Sequence, residues 1–571
     1  MMKETQLIQS VYAYDIAADQ KISEIKTVDE LKAQIKQWRA DWLDMMGELP
    51  EKTPLMPEVI DIVKCNGYVV EKVLFQSQPG VYVTGMLFLP EHSDFKPPYP
   101  AVMEVQGHST VGKLAVKHIR MAEIAVQAGF AVFIFDPISQ GERFQCKEEF
   151  GGWDCAEEHG SLGARSYLTG WNLARFRLWD GIRAIDYLET RPELDLSRLA
   201  VIGNSGGGTM STYLQAWDDR IKIACPGCYI SSLREVIRER GVHDPEQFFF
   251  NQLPRGLNHG ALVAMGQDRV DLMIAARHHD YFPIEGVKST FALMQQVKEN
   301  CKLDTHCGMF SCDGPHGWVE ASIQANLAWL QYHIKGQVSP YAKIVDDQFV
   351  LDIEKLRSIE PKLDCRTDLN VFPNEKGYVT ATGQVRDLPG FRSLYTLIAE
   401  EADRYAEQRQ KVLRGGKEKL REIVRRRAGI HPLDSLPEAP KPFEHTFKWW
   451  YLKGPDGMSV ELHSGILSIL GKSLVGLRAE QILRDALVEY KANGNTPVPL
   501  CAEGSMCIAA AHAYAAEPEL FCRVEFKNPP LSWSDMLHKE DPREDSFSVG
   551  VWGALREYDW IDLVPAELQE N

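Results

Sequence analysis

The chain reads as an α/β protein whose mostly parallel sheet is covered by helices on both faces. Two observations carry that expectation. From about residue 100 to 335, short runs rich in β-branched and aromatic residues alternate with helix-length segments. One of these runs also passes through a glycine-rich turn directly into a helix, a junction that such sheets use for chemistry.

The elements follow in order. Residues 1 to about 60 form a helical lead-in, with Val28 to Met46 carrying apolar residues at helical spacing. Two alternating strand-like runs come next, Tyr68–Phe75 and Val81–Leu89, the second ended by Pro90. The remaining strand candidates are Ala101–Val105, Ala131–Phe135, Leu199–Ile202, Ile221–Cys225, Leu272–Ala276 and Thr305–Phe310. Helices are expected over Leu178–Leu188, Thr209–Trp217 and Glu320–His333, and Gly336 to Pro340 closes the first unit. Beyond it lie one long helix (about Leu397–Arg427), a Pro-rich break at His431–Pro442 and a last α/β-like segment. The boundaries expected are a lead-in over 1–60, a catalytic unit over 61–338 and a further unit over 339–571.

Bulk numbers narrow the class. At 571 residues the chain exceeds one core, and 44% hydrophobic with 25% charged residues is ordinary for a soluble globular protein. A formal charge of −17 argues against nucleic acid or an anionic membrane as partner. The one basic run, Lys411 to Arg427, is interleaved with Glu and reads as an exposed helix laced by ion pairs. The first twenty residues lack the apolar core of a leader, and no apolar run approaches membrane-spanning length, so a cytoplasmic location is expected. Twelve scattered cysteines fit free thiols. Cys225-Pro-Gly-Cys228 lacks the second close pair that a four-thiolate zinc site needs, so burial after a strand is the simpler reading.

In an open α/β sheet, chemistry sits beyond the carboxyl ends of the strands, and that rule sorts the candidates. Gly203-Asn-Ser205-Gly206-Gly207 follows an apolar strand and opens a helix. A sharp strand-to-helix turn leaves no room for bulk beside the serine, which Gly203 and Gly207 satisfy. Ser205 is therefore the expected nucleophile. The backbone N–H of Gly206, at the helix N-terminus, is the expected first donor to an oxyanion. Partners in this arrangement come in the order Ser, acid, His. Asp271 precedes its strand and lies at the wrong end of the sheet, whereas Asp280 follows the same strand in a loop capped by Pro283. Gly-Pro-His316-Gly lies in the next strand-to-helix loop, while His306 falls within a strand and His333 within a helix. The expected triad is Ser205, Asp280 and His316. A second oxyanion donor should come from the loop Gln106-Gly-His108-Ser109, through the amide of His108. Asp136 to Arg143 either shapes the pocket floor or is a structural turn. His278 and His279 beside Asp280 lack a distant third ligand. No metal and no cofactor are expected.

These residues resemble a known group. Gln106-Gly-His, Asp136 to Arg143, the Asn-Ser-Gly-Gly-Gly turn, His-Asp280-Tyr-Phe-Pro and Gly-Pro-His316-Gly are similar to the acetyl xylan esterase and related carbohydrate-esterase branch of the α/β-hydrolases. Gly47-Glu-Leu-Pro-Glu-Lys-Thr-Pro-Leu is similar to the lead-in of that branch, and the likeness covers roughly residues 40 to 335. One departure is Gln106, which stands where a His usually precedes the oxyanion glycine.

The second half looks like a worn copy of the first. Arg177-Leu-Trp-Asp-Gly-Ile-Arg183 parallels Arg478-Ala-Glu-Gln-Ile-Leu-Arg484, and the Ser205 turn parallels Cys501-Ala-Glu-Gly504-Ser505 before an Ala-rich helix. Gly504 takes the nucleophile's place. The first copy sets its acid 75 and its base 111 residues beyond the nucleophile, and only 67 residues follow Gly504. A truncated, non-catalytic hydrolase-like unit is expected, as in two-part bacterial members of that branch. The function expected overall is ester hydrolysis through an acyl-enzyme, on an acetylated sugar or another small ester. A prolyl-oligopeptidase-like peptidase, though no propeller repeats precede the oxyanion loop, or an amidase would use the same triad. A homo-oligomer is left open.

Overall fold

The computed structural model describes residues 6–146, 154–242, 244–346, 348–359, 377–436, 458–539, 541–542, 547–565 and 569–570. Helices α1 (Gln6–Ser23) and α2 (Val28–Met46) lead the chain. Thr27 and Glu30 fix the start of α2 through a capping box. Its apolar stripe is buried, with Trp42 edge-on to Tyr213 at 5.1 Å. The helical lead-in expected to about residue 60 ends instead at Met46, and the chain is already a strand by Glu58. That strand, β1 (Glu58–Lys64), is almost wholly exposed, so it carries no inward-facing stripe by which it could be recognised.

The main sheet adds β2 (Tyr68–Gln78), β3 (Val81–Pro90), β4 (Tyr99–Val105), β5 (Ala131–Phe135), β6 (Leu194–Asn204), β7 (Ile223–Gly227), β8 (Asp271–Arg277) and β9 (Cys307–Cys312). Its nine strands lie in the order β1-β2-β3-β5-β4-β6-β7-β8-β9. The first three and the β3–β5 pair are antiparallel, and every pairing from β5 to β9 is parallel. Parallel neighbours need long crossovers. Helices α3 (Val116–Gln127), α4 (Cys155–Thr169), α5 (Leu173–Leu188), α6 (Gly206–Trp217), α7 (Leu233–Arg240), α8 (His259–Ala264), α9 (Ile284–Cys301) and α10 (Glu320–Lys335) lie in or between them.

Successive strand residues serve opposite cores. Met103, Phe133 and Val201 pack with α2, α5, α6 and α9, while Val102, Val132 and Ala200 pack with α3 and α10. Both faces are covered, and the strand–turn–helix at β6–α6 sits near the middle of the sheet. This is the α/β-hydrolase fold.

The loop after β5 is a structural turn built on buried charge. Asp136 accepts from Thr84 Oγ1 at 2.8 Å and from the Lys113 amide at 2.7 Å. Lys113 is 1% exposed and bridges Asp136 and Glu142. Burial alone would strip its proton, but the two carboxylates outweigh that and keep it charged. Glu142 also accepts from the amides of Val379 and Thr380, at 2.9 and 2.7 Å, and so ties this loop to the second half.

The single long helix expected near Leu397–Arg427 is three helices, Leu394–Arg404, Ala406–Arg414 and Lys417–Ala428. The second break falls at Gly415-Gly416, where Gly416 takes φ +90° and no side chain favours continuing the helix. Its arginines do form ion pairs, Arg421 with Glu418 on the same helix at 3.5 Å, and with distant segments as well: Arg421 and Arg425 with Glu519 and Glu517, Arg426 and Arg427 with Glu557.

Farther on, Leu474–Ala492 precedes strand Val498–Glu503, helix Met506–Ala516 and strand Phe521–Lys527, and the two strands are parallel. Gly504 takes φ +56° and its amide donates to Lys527 O at 2.9 Å. Ser205 takes φ +61° and its amide donates to Gly227 O at 2.9 Å. Among the described residues no helix is long and apolar enough to cross a membrane.

Candidate active site

The site starts from β6. Its last residue, Asn204, hands the chain to Ser205, whose φ of +61° and ψ of −124° are costly for a residue with a side chain. The turn persists because its surroundings leave no alternative. A Cβ on Gly203 would lie 2.4 Å from Gly207 O, and one on Gly207 only 2.1 Å from Val105 O. Both obstacles are backbone, so neither can step aside. Gly207→Val is expected to cost more than about 3 kcal/mol of folding stability through overpacking. Urea denaturation followed by fluorescence would measure it, and a loss below 1 kcal/mol (on the order of a surface change) would contradict this account of the turn.

The structure brings Ser205, His316 and Asp280 together from the loops after β6, β9 and β8. Ser205 Oγ lies 2.8 Å from His316 Nε2, and His316 Nδ1 lies 2.6 Å from Asp280 Oδ1. The carboxylate accepts from Nδ1–H, which leaves the Nε2 lone pair for the serine hydroxyl to donate to. The Asp280 side chain is 1% exposed and that of His316 is 27% exposed, so the relay runs from the interior to an open rim. Burial favours the neutral form of Asp280, but the hydrogen bond from His316, its charge and the Tyr281 amide outweigh burial and hold the carboxyl below its ordinary value. Tyr281 also sets its ring edge-on to the imidazole at 5.0 Å.

Gly206 is the first residue of α6, so its amide has no acceptor within the helix and faces the dipole's positive end. The loop carrying His108 is pressed onto the turn, since a Cβ on Gly107 would meet Asn204 O at 2.4 Å and Ser205 Cβ at 3.0 Å. The loop that carries His108 and the start of α6 at Gly206 therefore both lie beside the serine. An imidazole so oriented can take the hydroxyl proton, and the resulting alkoxide would attack a carbonyl whose oxygen these amides receive.

Of the rejected candidates, Asp271, His278 and Cys225 pair or pack away from the serine, while Cys228 lies against Asp280. Asp271 starts β8 and pairs with His306 Nδ1 at 3.0 Å and Arg198 at 2.7 Å, while His278 pairs with Asp313 at 2.8 Å. Cys225 and Cys228 are buried, and desolvation pushes the Cys228 thiol up to about 12. Sequence reasoning missed four polar residues beside the turn: His159, Arg177, Asp244 and Glu246. They come from α4, α5 and the stretch after α7, and no short motif joins them.

No family model matches the chain. Over 255 residues it is 22% identical to YtaP of Bacillus subtilis (strain 168), a hydrolase by name, spanning 43% of this chain and 81% of the relative. Among solved structures it is similar to the methylesterase BT1017, with a TM-score of 0.47 and 16% identity over 73% of this chain and 78% of the other. It is also similar to an acetyl xylan esterase from Paenibacillus sp. R4, with a TM-score of 0.36 and 17% identity over 55% of this chain and 98% of that one. Strand order and the turn after β6 give the first half the α/β-hydrolase fold, and over part of its length the chain is similar in sequence to a hydrolase.

Proposed function

We propose that the chain is a serine esterase in which Ser205 is the nucleophile, His316 the general base and acid, and Asp280 the residue that orients and stabilises the imidazolium. The observation that carries this reading is the continuous relay, 2.8 Å from serine to imidazole and 2.6 Å from imidazole to a buried carboxylate. Ser205 Oγ gives its proton to His316 Nε2 and attacks the acyl carbon, and the Gly206 and His108 amides receive the oxyanion. The alcohol leaves with the proton from His316. Water, activated by the same imidazole, then cleaves the acyl-enzyme and restores the serine.

The hydrolase relative and the motif likeness to acetyl xylan esterases point to a small acyl group on a carbohydrate or similar alcohol. A fluorophosphonate probe, which phosphonylates activated serines only, should add one adduct per chain. Peptide mass spectrometry should locate it on Ser205, and acetate esters should protect against it. Labelling elsewhere, or none in folded protein, would sink the assignment.

The second half is read as a non-catalytic copy of the strand–turn–helix–strand unit, because Gly504 shares with Ser205 a positive φ and an amide that donates to the next strand. Its part is support. Ser468 and Ile469 accept the amides of Asn251 and Leu253 at 2.7 and 3.0 Å, and Thr169 O at the end of α4 accepts from Arg556 Nε at 2.7 Å.

A further inference from the structure

Beside the turn, four side chains from three separate segments, two of them buried and two half-buried, point their ligand atoms at one another. His108 Nε2, His159 Nδ1 and Asp244 Oδ2 form a triangle with edges of 3.2, 3.0 and 2.8 Å. Glu246 faces it, with Oε1 3.8 Å from His108 Nε2 and Oε2 3.9 Å from His159 Nδ1. His159 is fully buried and Glu246 is 1% exposed. Glu246 Oε2 also meets the guanidinium of Arg177, whereas Oε1 makes no hydrogen bond.

With both imidazoles neutral, this triangle is short of positive charge. His159 Nε2 lies 3.1 Å from Ile138 O, and a carbonyl only accepts, so Nε2 carries the imidazole's proton. In the neutral ring, Nδ1 is then a lone pair aimed at a carboxylate oxygen 2.8 Å away. One N–H on His108 can satisfy one edge of the triangle but cannot sit between the other two atoms. A cation displaced toward Glu246 faces all four. Tetrahedral coordination at about 2.0–2.1 Å sets neighbouring ligand atoms about 3.3 Å apart, and the separations of 2.8 to 3.9 Å found here bracket that value. The bond from His159 Nε2 to a backbone carbonyl is also the way ligating imidazoles are held.

We propose that His108, His159, Asp244 and Glu246 form a binding site for one divalent transition ion of the zinc type. Two imidazoles exclude the hard cations calcium and magnesium as preferred occupants. The ion joins the oxyanion loop to α4 and to the stretch after α7, so it fixes the height of the His108 amide above the turn. Arg177 balances the second carboxylate, leaving the four ligands and the guanidinium one net negative charge for the ion to neutralise. The proposal does not depend on the esterase reading, and it departs from the sequence expectation of no metal because its ligands share no spacing motif.

The test uses the full chain, stripped with dipicolinate and titrated separately with Zn²⁺ and Co²⁺. One equivalent of zinc should survive desalting, and Co²⁺ should give the visible absorption of a four-coordinate site. His159→Ala and Glu246→Gln should each weaken the metal's affinity at least about 100-fold, while His306→Ala, at the far end of the sheet, leaves it unchanged. Glu246→Gln keeps the side chain's shape, and circular dichroism establishes that it folds. Failure of the wild type to retain an equivalent of either ion overturns the site. So does binding that survives Glu246→Gln or disappears with His306→Ala.

Discussion

Ser205→Ala is expected to lower kcat for p-nitrophenyl acetate by on the order of 10⁴–10⁶-fold, with folding unchanged. The size follows from how the site is built. Without the oxygen no covalent intermediate forms, and the imidazole has nothing within 2.8 Å to deprotonate except a water that takes the vacated space. The oxyanion donors persist, since Gly206 and His108 are held by the helix start and the loop packing rather than by the hydroxyl. Residual catalysis from those donors sets the floor. Ser205 carries φ +61°, which alanine bears no better than serine, so the variant should melt where the wild type does. Stopped-flow traces give a second readout: the wild type should release a burst of one p-nitrophenolate per chain, and the variant none. A variant retaining a tenth of the wild-type rate would show that the nucleophile lies elsewhere.

The features legible in the sequence are those set by local physics. Ala131–Phe135 coincides with its strand and Val28–Met46 with its helix, because in each case the apolar spacing continues to the ends. The turn at Ser205 was readable because backbone crowding at Gly203 and Gly207 demands glycine at both positions. Asp280 and His316 followed from chain order and strand ends, and both fall within hydrogen-bonding range of the expected partners. What stayed hidden depends on distant chain. The edge strand β1 carries no buried stripe, and its pairing with β2 is its only signature. Lys113, Asp136 and Glu142 look like surface charges until the fold places them in one buried knot. His159, Asp244 and Glu246 each occupy unremarkable local sequence, and only the packing of α4 against the stretch after α7 brings them to His108.

Asp280→Asn isolates the charge of the orienting carboxylate from its geometry. In this chain the asparagine oxygen has one place to go. Oδ1 accepts both His316 Nδ1–H and the Tyr281 amide, whereas the only other group bonded to the carboxylate among the described residues is the weak thiol donor of Cys228. An amide nitrogen at the Oδ1 position would face two donors, so the carbonyl oxygen should remain there and keep the proton on Nδ1. The usual route to a wrong tautomer is thereby closed, and the loss that remains is the negative charge opposite the imidazolium. A fall in kcat of about 10²–10⁴-fold is expected, smaller than for Ser205→Ala, with KM little changed. A loss equal to that of the serine variant would mean that the amide flips and the tautomer is lost. Stability supplies the independent check. The carboxyl of Asp280 is held below its ordinary value, so its ionised form stabilises the fold above about pH 4, and that contribution fades as pH falls through the lower native value. The gap in urea midpoint between wild type and Asp280→Asn should therefore be widest near neutrality and narrow in acid. A gap that widens as pH falls would mean that the buried carboxyl is protonated in the native state and is not the counter-charge of the relay.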